Sequence, residues 1–268
     1  MSAPALLILI VSWNTRDLLR DCLHSLQPFA HPEWDVLVVD NASTDDSVAM
    51  VRSEYPAARL IENAVNVGYA RANNQGLRTS TAPYALLLNS DTRATPKAIH
   101  GLLAFMETHP EAGAVCPRLL RPDGTAQPFA FGGDPTPAYL LRRGVLRLLA
   151  RRHLHDWATT HTQSVDWVSG ACLLARRAAF EQAGMLDENF FMYFEDNDWC
   201  LRLRRAGWKN YYHPAEVIVH LGGQSLARNP QAQLSYEASL RYFYHKHYGP
   251  LAGLMLRALL RLNARMRS

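Results

Sequence analysis

The chain has 268 residues, of which 48% are hydrophobic, enough apolar material for one large domain or for one domain with an appendage. Its formal net charge is +4, from 28 Lys and Arg against 24 Asp and Glu. This excess is too small to indicate a nucleic-acid-binding protein, and we expect no nucleic-acid partner. An anionic ligand or a membrane surface remains compatible with it.

The cysteines and the first apolar run indicate a reducing compartment. The cysteines show no metal-type spacing and stand in apolar or helical contexts, so we interpret them as reduced core residues; they are Cys22, Cys116, Cys172 and Cys200. The run at 6–11 lacks a basic leader and a cleavage site, so it predicts a strand rather than a signal peptide. We therefore expect a cytoplasmic protein, either free in the cytoplasm or bound at the inner face of the cell membrane.

Short apolar runs alternate with helical stretches over the first 120 residues, as a parallel sheet with crossover helices requires. Predicted strands cover 6–12, 35–40, 58–62, 84–89 and 113–119. Predicted helices lie near 15–27, 44–54, 69–79 and 96–107, and two have start signals, at 43–46 and at Thr95 followed by Pro96. The pattern predicts an α/β fold with a doubly wound, mainly parallel sheet.

The second half is less regular. Residues 121–137 are rich in proline and glycine, which predicts loops or a hairpin, and a lid over a ligand is one use for such a segment. Strand-like sequence returns at 165–176. The remaining predicted elements are helices near 177–183 and 195–206, a strand pair at 208–213 and 216–220, and a helical tail from 231.

Polar residues stand where predicted strands end, and in open parallel sheets ligands bind at those carboxyl ends. The candidates for nucleotide binding lie at strand ends or at the start of the third helix. They are Ser12 and Asn14 at the end of the first strand, Asp40 at the end of the second, Asn66, Gly68 and Arg71 around the start of the third helix, and Asn89 and Ser90 at the end of the fourth strand. Asp40 can accept the N3–H of a pyrimidine, or it is an ordinary turn residue. Arg71 can bind phosphate as a bidentate donor, or it is a solvated helix charge.

Asp91 and His220 are the candidate metal ligands. A carboxylate at a sheet edge can hold Mg²⁺ or Mn²⁺, which prefer a few carboxylates together with phosphate oxygens. The alternative is that Asp91 only caps the turn into the next helix. His220 follows a predicted strand and can be a neutral metal ligand, or it is a core or surface histidine.

A second acidic cluster contains Glu195, Asp196 and Asp198, which fall in the first turn of a predicted helix. Three acids in four positions exceed what helix capping needs, although capping remains the alternative. Asp196 is well placed to take a proton from an acceptor hydroxyl, which makes it the candidate general base.

Five ordered motifs resemble family 2 glycosyltransferases of the GT-A fold. They occupy 11–14, 39–45, 66–74, 89–91 and 195–196, and the resemblance covers about residues 6–222. Within that family, 167–171 followed by 190–196 looks like the bacterial rhamnosyltransferase branch, which builds cell-wall and O-antigen polysaccharide.

The resemblance implies a role for each matching residue. Asp91 is similar to the last acid of the Asp-X-Asp metal motif, and His220 to a histidine that completes the metal site. Asp40 matches the residue that recognises the base, and Asp196, with Glu195 beside it, matches the proposed catalytic base. The first acid of Asp-X-Asp is Asn89 here, so the site presents less negative charge. The acceptor and sugar pocket would include Trp167, Ser169, Gly170 and Tyr193.

The resemblance also implies a reaction and its partners. We expect an inverting transfer of L-rhamnose from dTDP-rhamnose, or of another sugar from a UDP-linked donor, with Mg²⁺ or Mn²⁺ as cofactor. The acceptor would be a saccharide or a polyprenyl-linked saccharide. We expect a glycosyltransferase domain at 1–222, divided into a nucleotide-binding half at 1–120 and an acceptor and catalytic half at 121–222, followed by a C-terminal helical segment at 223–268.

Two basic, apolar stretches at 138–153 and 251–268 have two interpretations. Their arginines can lie at the phosphate level of an anionic bilayer with the leucines below. Alternatively, they pack on the domain or on a second subunit of a homodimer.

Other functional classes remain as alternatives. A nucleotidyltransferase usually has a Gly-rich, basic loop after the first strand, and residues 12–15 do not form one. A non-catalytic nucleotide-sugar-binding scaffold is disfavoured because both Asp91 and Asp196 are present. Dinucleotide oxidoreduction is disfavoured because no Gly-X-Gly-X-X-Gly follows the first strand.

Overall fold

The computed structural model describes residues 5–26, 31–140, 142, 146, 154–222 and 232–265. Eleven strands lie within these ranges. They are β1 (Leu6–Ser12), β2 (Trp34–Asp40), β3 (Arg59–Glu62), β4 (Tyr84–Asn89), β5 (Thr92–Arg93), β6 (Ala112–Leu120), β7 (Phe131–Gly132), β8 (Gln163–Val165), β9 (Trp167–Val168), β10 (Cys172–Arg176) and β11 (Lys209–His220).

One large sheet has the strand order β3-β2-β1-β4-β10-β6-β11-β5, with β8 beside β11, and β7 pairs with β9 separately. The pairs β2–β3, β1–β2, β1–β4 and β6–β11 are parallel. Strand β10 runs antiparallel between β4 and β6. The sheet is therefore mixed, and its first half is parallel, as the sequence predicts. The strand order reverses at β1, which has β2 on one side and β4 on the other.

Helices connect the strands of the first half, and one of the later helices carries the acidic cluster. In the described ranges they are α1 (Arg16–Leu26), α2 (Ser47–Glu54), α3 (Tyr69–Leu77), α4 (Pro96–Thr108), α5 (Arg177–Ala183), α6 (Glu195–Arg205) and α7 (Ala232–Arg265). A further helical turn is present at 137–140. Helix α4 begins as predicted, because the Thr95 hydroxyl accepts the Ala98 N–H at 3.2 Å and Pro96 occupies the first turn. Helix α7 is interrupted at Gly249, where φ is 80°.

The predicted strand pair at 208–213 and 216–220 is wrong, because this stretch is the single strand β11. It pairs in parallel with β6 on both sides of a register shift between His213 and Val217. Pro214 lies in that irregular part, where proline is tolerated because no ladder donor is needed. The chain therefore bulges and continues in the same direction instead of turning back.

Two apolar clusters stabilise the fold. The larger one surrounds the sheet and includes the fully buried residues 6–10 of β1. The smaller one joins the segment before α6 to α7, and it contains Phe190, Phe194, Leu201, Leu240, Phe243, Tyr244 and Leu256. Burial of these aromatic side chains fixes α7 against the acidic cluster.

The four cysteines are free and buried, which confirms their interpretation as reduced core residues. Burial raises the pKa of the Cys22 thiol to about 12. At neutral pH this side chain is a thiol rather than a nucleophilic thiolate.

Much of the predicted basic, apolar stretch at 138–153 lies outside the described residues, as do 223–231 and 266–268. No helix within the described ranges is both long and apolar enough to cross a membrane. The proposed division at residue 222 and the membrane interpretation stay predictions.

Gly68, at the start of α3, has a backbone conformation (φ 87°, ψ 168°) that is essentially restricted to glycine. A Cβ there would lie 2.6 Å from the backbone oxygen of Phe191. We expect Gly68→Ala to lower the free energy of unfolding by about 1–3 kcal/mol from the backbone strain alone, with the steric contact adding to it. Urea denaturation measures this change. Gly124→Ala is the control, because φ is 80° there but nothing lies within 4 Å, so an equal loss in both variants would contradict the contact with Phe191.

Asp198 connects α6 to α7 through a buried cluster of charges. Its carboxylate lies 2.8 Å from Arg202 Nε, 2.6 Å from Lys246 Nζ and 2.7 Å from His247 Nε2. Burial acts to raise the pKa of the Asp198 carboxyl, but the hydrogen bond from His247 and the charges of Arg202 and Lys246 outweigh it, and the net pKa is lowered.

We expect Asp198→Asn to cost about 3–5 kcal/mol of unfolding free energy at pH 7, since it removes a fully buried carboxylate that Arg202, Lys246 and His247 share. The folded-state pKa lies below the unfolded value of about 4, so this stabilisation is complete above that pH and is lost as the pH falls toward the folded-state pKa. Urea denaturation at pH 7 and pH 3 should therefore show a large difference between wild type and variant at pH 7 and a smaller one at pH 3. Asp17→Asn, which changes an exposed ion pair, should leave the free energy of unfolding close to the wild-type value at both pH values.

Candidate active site

A cleft of about 670 Å³ opens where β1 and β4, two parallel neighbours, end. Trp13 and Thr15 follow β1 on one side of it, Asn89 ends β4, and Ser90 and Asp91 follow it. The site lies there because the carboxyl ends of parallel strands meet at one edge, at the point where strand order reverses.

Asp91 and His220 meet in this cleft. His220 Nε2 lies 3.0 Å from Asp91 Oδ1, and both side chains are at most one-tenth exposed. His220 Nδ1 donates to Gln127 Oε1 at 2.9 Å, because an amide oxygen can only accept. When the imidazole is neutral, its Nε2 lone pair therefore faces a carboxylate oxygen, and two such acceptors repel unless a proton or a cation lies between them.

The donor set and its spacing fit a hexacoordinate divalent cation. Adjacent ligands of an octahedral Mg²⁺ with bonds of about 2.1 Å lie about 3.0 Å apart, the separation of His220 Nε2 and Asp91 Oδ1. The hydrogen bond to Gln127 fixes the ring orientation and the tautomer, as outer partners of metal-bound histidines do. The Asn89 amide nitrogen lies 3.5 Å from the same Nε2.

Asp196 lines the other part of the cleft, at the start of α6. Its Oδ2 accepts the Gly170 N–H at 2.9 Å, and its Oδ1 accepts the Asn197 N–H at 2.8 Å. Burial raises the pKa of the Asp196 carboxyl, and these two N–H groups oppose that effect. The result is an oriented carboxylate with a strengthened affinity for a proton.

Glu195 is buried beside Asp196, and among the described residues its Oε2 has no hydrogen-bond partner. Burial, followed by the charges of Asp196 and Asp198, raises the pKa of Glu195 well above its ordinary value. Glu195 lines the cleft beside Asp196, and its raised pKa favours the protonated form of its carboxyl.

Two consecutive residues with left-handed backbone precede these acids. Tyr193 has φ 73° and Phe194 has φ 67°, a region that costs residues with a Cβ about 1–3 kcal/mol each. Phe194 is buried in the smaller apolar cluster, so packing holds the strained turn. The turn places Tyr193, Glu195 and Asp196 in the wall of the cleft.

The predicted sugar and acceptor pocket comes together in the same place. Trp167, Ser169, Gly170 and Tyr193 all line the cleft. Tyr69, at the start of α3, donates its hydroxyl to the Gly170 carbonyl at 2.9 Å, which joins the first half of the chain to β10 and its preceding loop.

The predicted nucleotide-binding residues separate into two groups. Asn66, Gly68, Asn89 and Ser90 line the cleft, whereas Ser12, Asn14, Asp40 and Arg71 do not. Arg71 is mostly exposed and lies 3.6 Å from Glu188. Asp40 is buried, with one oxygen accepting the Ser43 N–H and the other without a partner among the described residues.

Sequence reasoning missed several residues that line the cleft or contact its side chains. Gln127 contacts His220 from a loop where no local pattern distinguishes it from other polar residues. Trp13 was visible at a strand end, where an aromatic side chain suits a ring-shaped ligand. Further apolar lining residues come from distant segments; they are Phe129, Leu140, Phe191, Met192, Tyr236 and Leu240.

Comparison with known proteins assigns the chain to a family. Residues 7–183 match the family described as Glycosyl transferase family 2. The chain belongs to glycosyltransferase family 2, which confirms the resemblance seen in its motifs.

Relatives of known name support this membership. The chain is 32% identical over 257 residues to an N-acetylglucosaminyl-diphospho-decaprenol L-rhamnosyltransferase of Mycobacterium tuberculosis, covering 88% of this chain and 82% of that one. It is 27% identical to the low-salt glycan biosynthesis hexosyltransferase Agl10 of Haloferax volcanii, covering 74% and 61%.

Solved structures share the fold. The mannosyltransferase PcManGT of Pyrobaculum calidifontis, in complex with GDP-Man and Mn²⁺, aligns with a TM-score of 0.57 at 17% identity, covering 99% of this chain and 76% of that one. GalNAc-T7 with UDP, GalNAc and Mn²⁺ aligns with a TM-score of 0.59 at 14% identity, covering 82% and 44%.

Proposed function

We propose that this chain transfers L-rhamnose from dTDP-rhamnose to a saccharide carried on a polyprenyl diphosphate, with inversion at the anomeric carbon. The observation that carries the proposal is that Asp91 with His220, and Asp196 with Glu195, line one cleft. The similarity to the mycobacterial rhamnosyltransferase over most of both chains supports this sugar and this kind of acceptor.

Asp196 acts as the general base in the proposed reaction. Its carboxylate takes the proton of the acceptor hydroxyl while the hydroxyl oxygen forms a bond to the anomeric carbon. The bond from that carbon to the diphosphate oxygen breaks on the opposite face, which inverts the configuration. The N–H groups of Gly170 and Asn197 hold the carboxylate in place.

Asp91 and His220 would hold Mg²⁺ or Mn²⁺, which would neutralise the charge that develops on the diphosphate leaving group. Asp91 and His220 supply only two protein ligands of such an ion, and phosphate oxygens and water are the expected remainder. The nucleotide would lie along Asn66, Gly68, Asn89 and Ser90. Its base would point toward Asp40, a buried carboxylate of which one oxygen has no hydrogen-bond partner among the described residues.

An apolar acceptor suits the mouth of the cleft. Phe129, Phe191 and Tyr236 line it and are 54%, 42% and 40% exposed. Aromatic side chains in such positions can contact a polyprenyl chain while the saccharide reaches Asp196. In this proposal the enzyme works at the cytoplasmic face of a membrane, with 138–153 and 251–268 as the proposed contact segments.

The decisive experiment is a donor panel of dTDP-rhamnose, UDP-glucose, UDP-N-acetylglucosamine and GDP-mannose, each with Mg²⁺, Mn²⁺ or EDTA. The acceptor is N-acetylglucosaminyl-diphospho-polyprenol, and products are identified by mass spectrometry and their anomeric configuration by NMR. We expect transfer from dTDP-rhamnose, lost in EDTA. Transfer from another donor alone would replace the proposed sugar, and a retained configuration would overturn the mechanism.

A further inference from the structure

Three metal-ligating side chains come together away from the cleft. His31 and Glu33 precede β2, and His100 lies on α4. One ligand atom from each of the three lies within 4.8 Å of the others, and within the described residues no second group of three such side chains meets this spacing. None of the three lines the cleft.

The spacing around Glu33 is longer than that of most hydrogen bonds and is compatible with the ligands of a four-coordinate ion. Glu33 Oε1 lies 3.5 Å from His31 Nδ1 and 3.5 Å from His100 Nε2. Most N–H···O hydrogen bonds are about 2.7–3.2 Å long. Ligands of a tetrahedral Zn²⁺ with bonds of about 2.0–2.1 Å lie about 3.3–3.4 Å apart, so small side-chain adjustments bring all three onto one ion.

Neighbouring groups orient the three side chains. His100 Nδ1 lies 2.9 Å from the Pro96 carbonyl oxygen, which can only accept, so Nδ1 is the donor in this contact and Nε2 is the ring nitrogen that faces Glu33. The His31 ring stacks on Trp34, with centroids 4.1 Å apart and an interplanar angle of 19°. The Glu33 carbonyl accepts the Ala5 N–H at 2.9 Å, which ties its backbone to the residue before β1.

We propose that His31, Glu33 and His100 form a second metal site, for a zinc-type transition ion, that links the start of β2 to α4. Two imidazoles and one carboxylate are ligands that Zn²⁺ accepts, and three protein ligands leave the fourth position to water. The side chains are 20%, 43% and 49% exposed for His31, Glu33 and His100, so an ion reaches them from solvent. The site is independent of the proposed sugar transfer.

Zinc binding to the full chain tests the proposal, and the Asp91→Asn variant removes the contribution of the cleft. In this background, isothermal titration with Zn²⁺ should give one site per chain. His100→Ala should weaken that site at least tenfold, because one of only three protein ligands is lost. His161→Ala, which changes an exposed histidine elsewhere, should leave it unchanged.

Two further measurements identify the ligands. Co²⁺ in place of zinc should give the visible absorption of a tetrahedral site, absent in His100→Ala, and crystals soaked with zinc should show an anomalous peak among the three side chains. Sugar transfer by His100→Ala in an otherwise wild-type chain should remain near the wild-type rate. The proposal is overturned if the Asp91→Asn variant and the double variant Asp91→Asn with His100→Ala bind zinc equally well. It is also overturned if the anomalous peak of zinc appears only in the cleft.

Discussion

Replacing Asp196 with asparagine should lower kcat by about 10²–10⁴-fold, the contribution that a positioned general base makes. Asparagine keeps the size of the side chain and one oxygen for the Gly170 N–H, but it cannot take a proton from the acceptor. Initial rates of sugar transfer at saturating donor and acceptor measure the change. The melting temperature should stay close to that of the wild type.

Asp21→Asn is the matched control, because that carboxylate is half exposed and pairs with Arg93 on the surface. It should keep the wild-type kcat. The raised pKa of Asp196 also predicts that the acid limb of kcat/KM against pH lies above the ordinary carboxyl value of about 4, since the base must be ionised. Wild-type turnover by Asp196→Asn would assign the proton transfer to another group.

Replacing Asp91 with asparagine should reduce kcat by about 10²-fold or more, because a cation at the leaving group supplies several kcal/mol of charge stabilisation. The Mn²⁺ concentration needed for half-maximal rate should rise at least tenfold. Rates measured over a Mn²⁺ titration, with EDTA-treated enzyme as the zero point, test both effects.

His220→Ala should shift the Mn²⁺ titration in the same direction, and Gln127→Ala should shift it less, since Gln127 only orients the ring. His161→Ala controls for loss of a histidine elsewhere. If Asp91→Asn kept the wild-type metal dependence, the pair at 3.0 Å would be an ordinary ion pair.

Local pattern predicted the first half of the fold closely. The apolar runs at 6–12 and 84–89 coincide with β1 and β4, because strands buried on both faces of a parallel sheet are continuously apolar. The start signal at Thr95 and Pro96 coincides with α4, since capping depends on residues within one turn. At 208–220 local pattern failed, because the partner strand β6 decides whether the chain turns or bulges.

The sequence by itself determined which chemical groups stand at the strand ends, since the alternation of strand and helix brings the ends of parallel strands to one edge. It therefore predicted Asn89, Ser90 and Asp91 as candidate site residues at the end of the fourth strand, whereas the pairing of that strand with β1 came from the structure.

Tertiary structure alone decided how those groups are combined. It brought Gln127 against His220, turned Arg71 toward Glu188, and joined Asp198 to α7. The contacting residues are 93 positions apart for Gln127 and His220, 117 for Arg71 and Glu188, and 49 for Asp198 and His247. Their geometry depends on how whole elements pack, and no local spacing in the sequence encodes that packing.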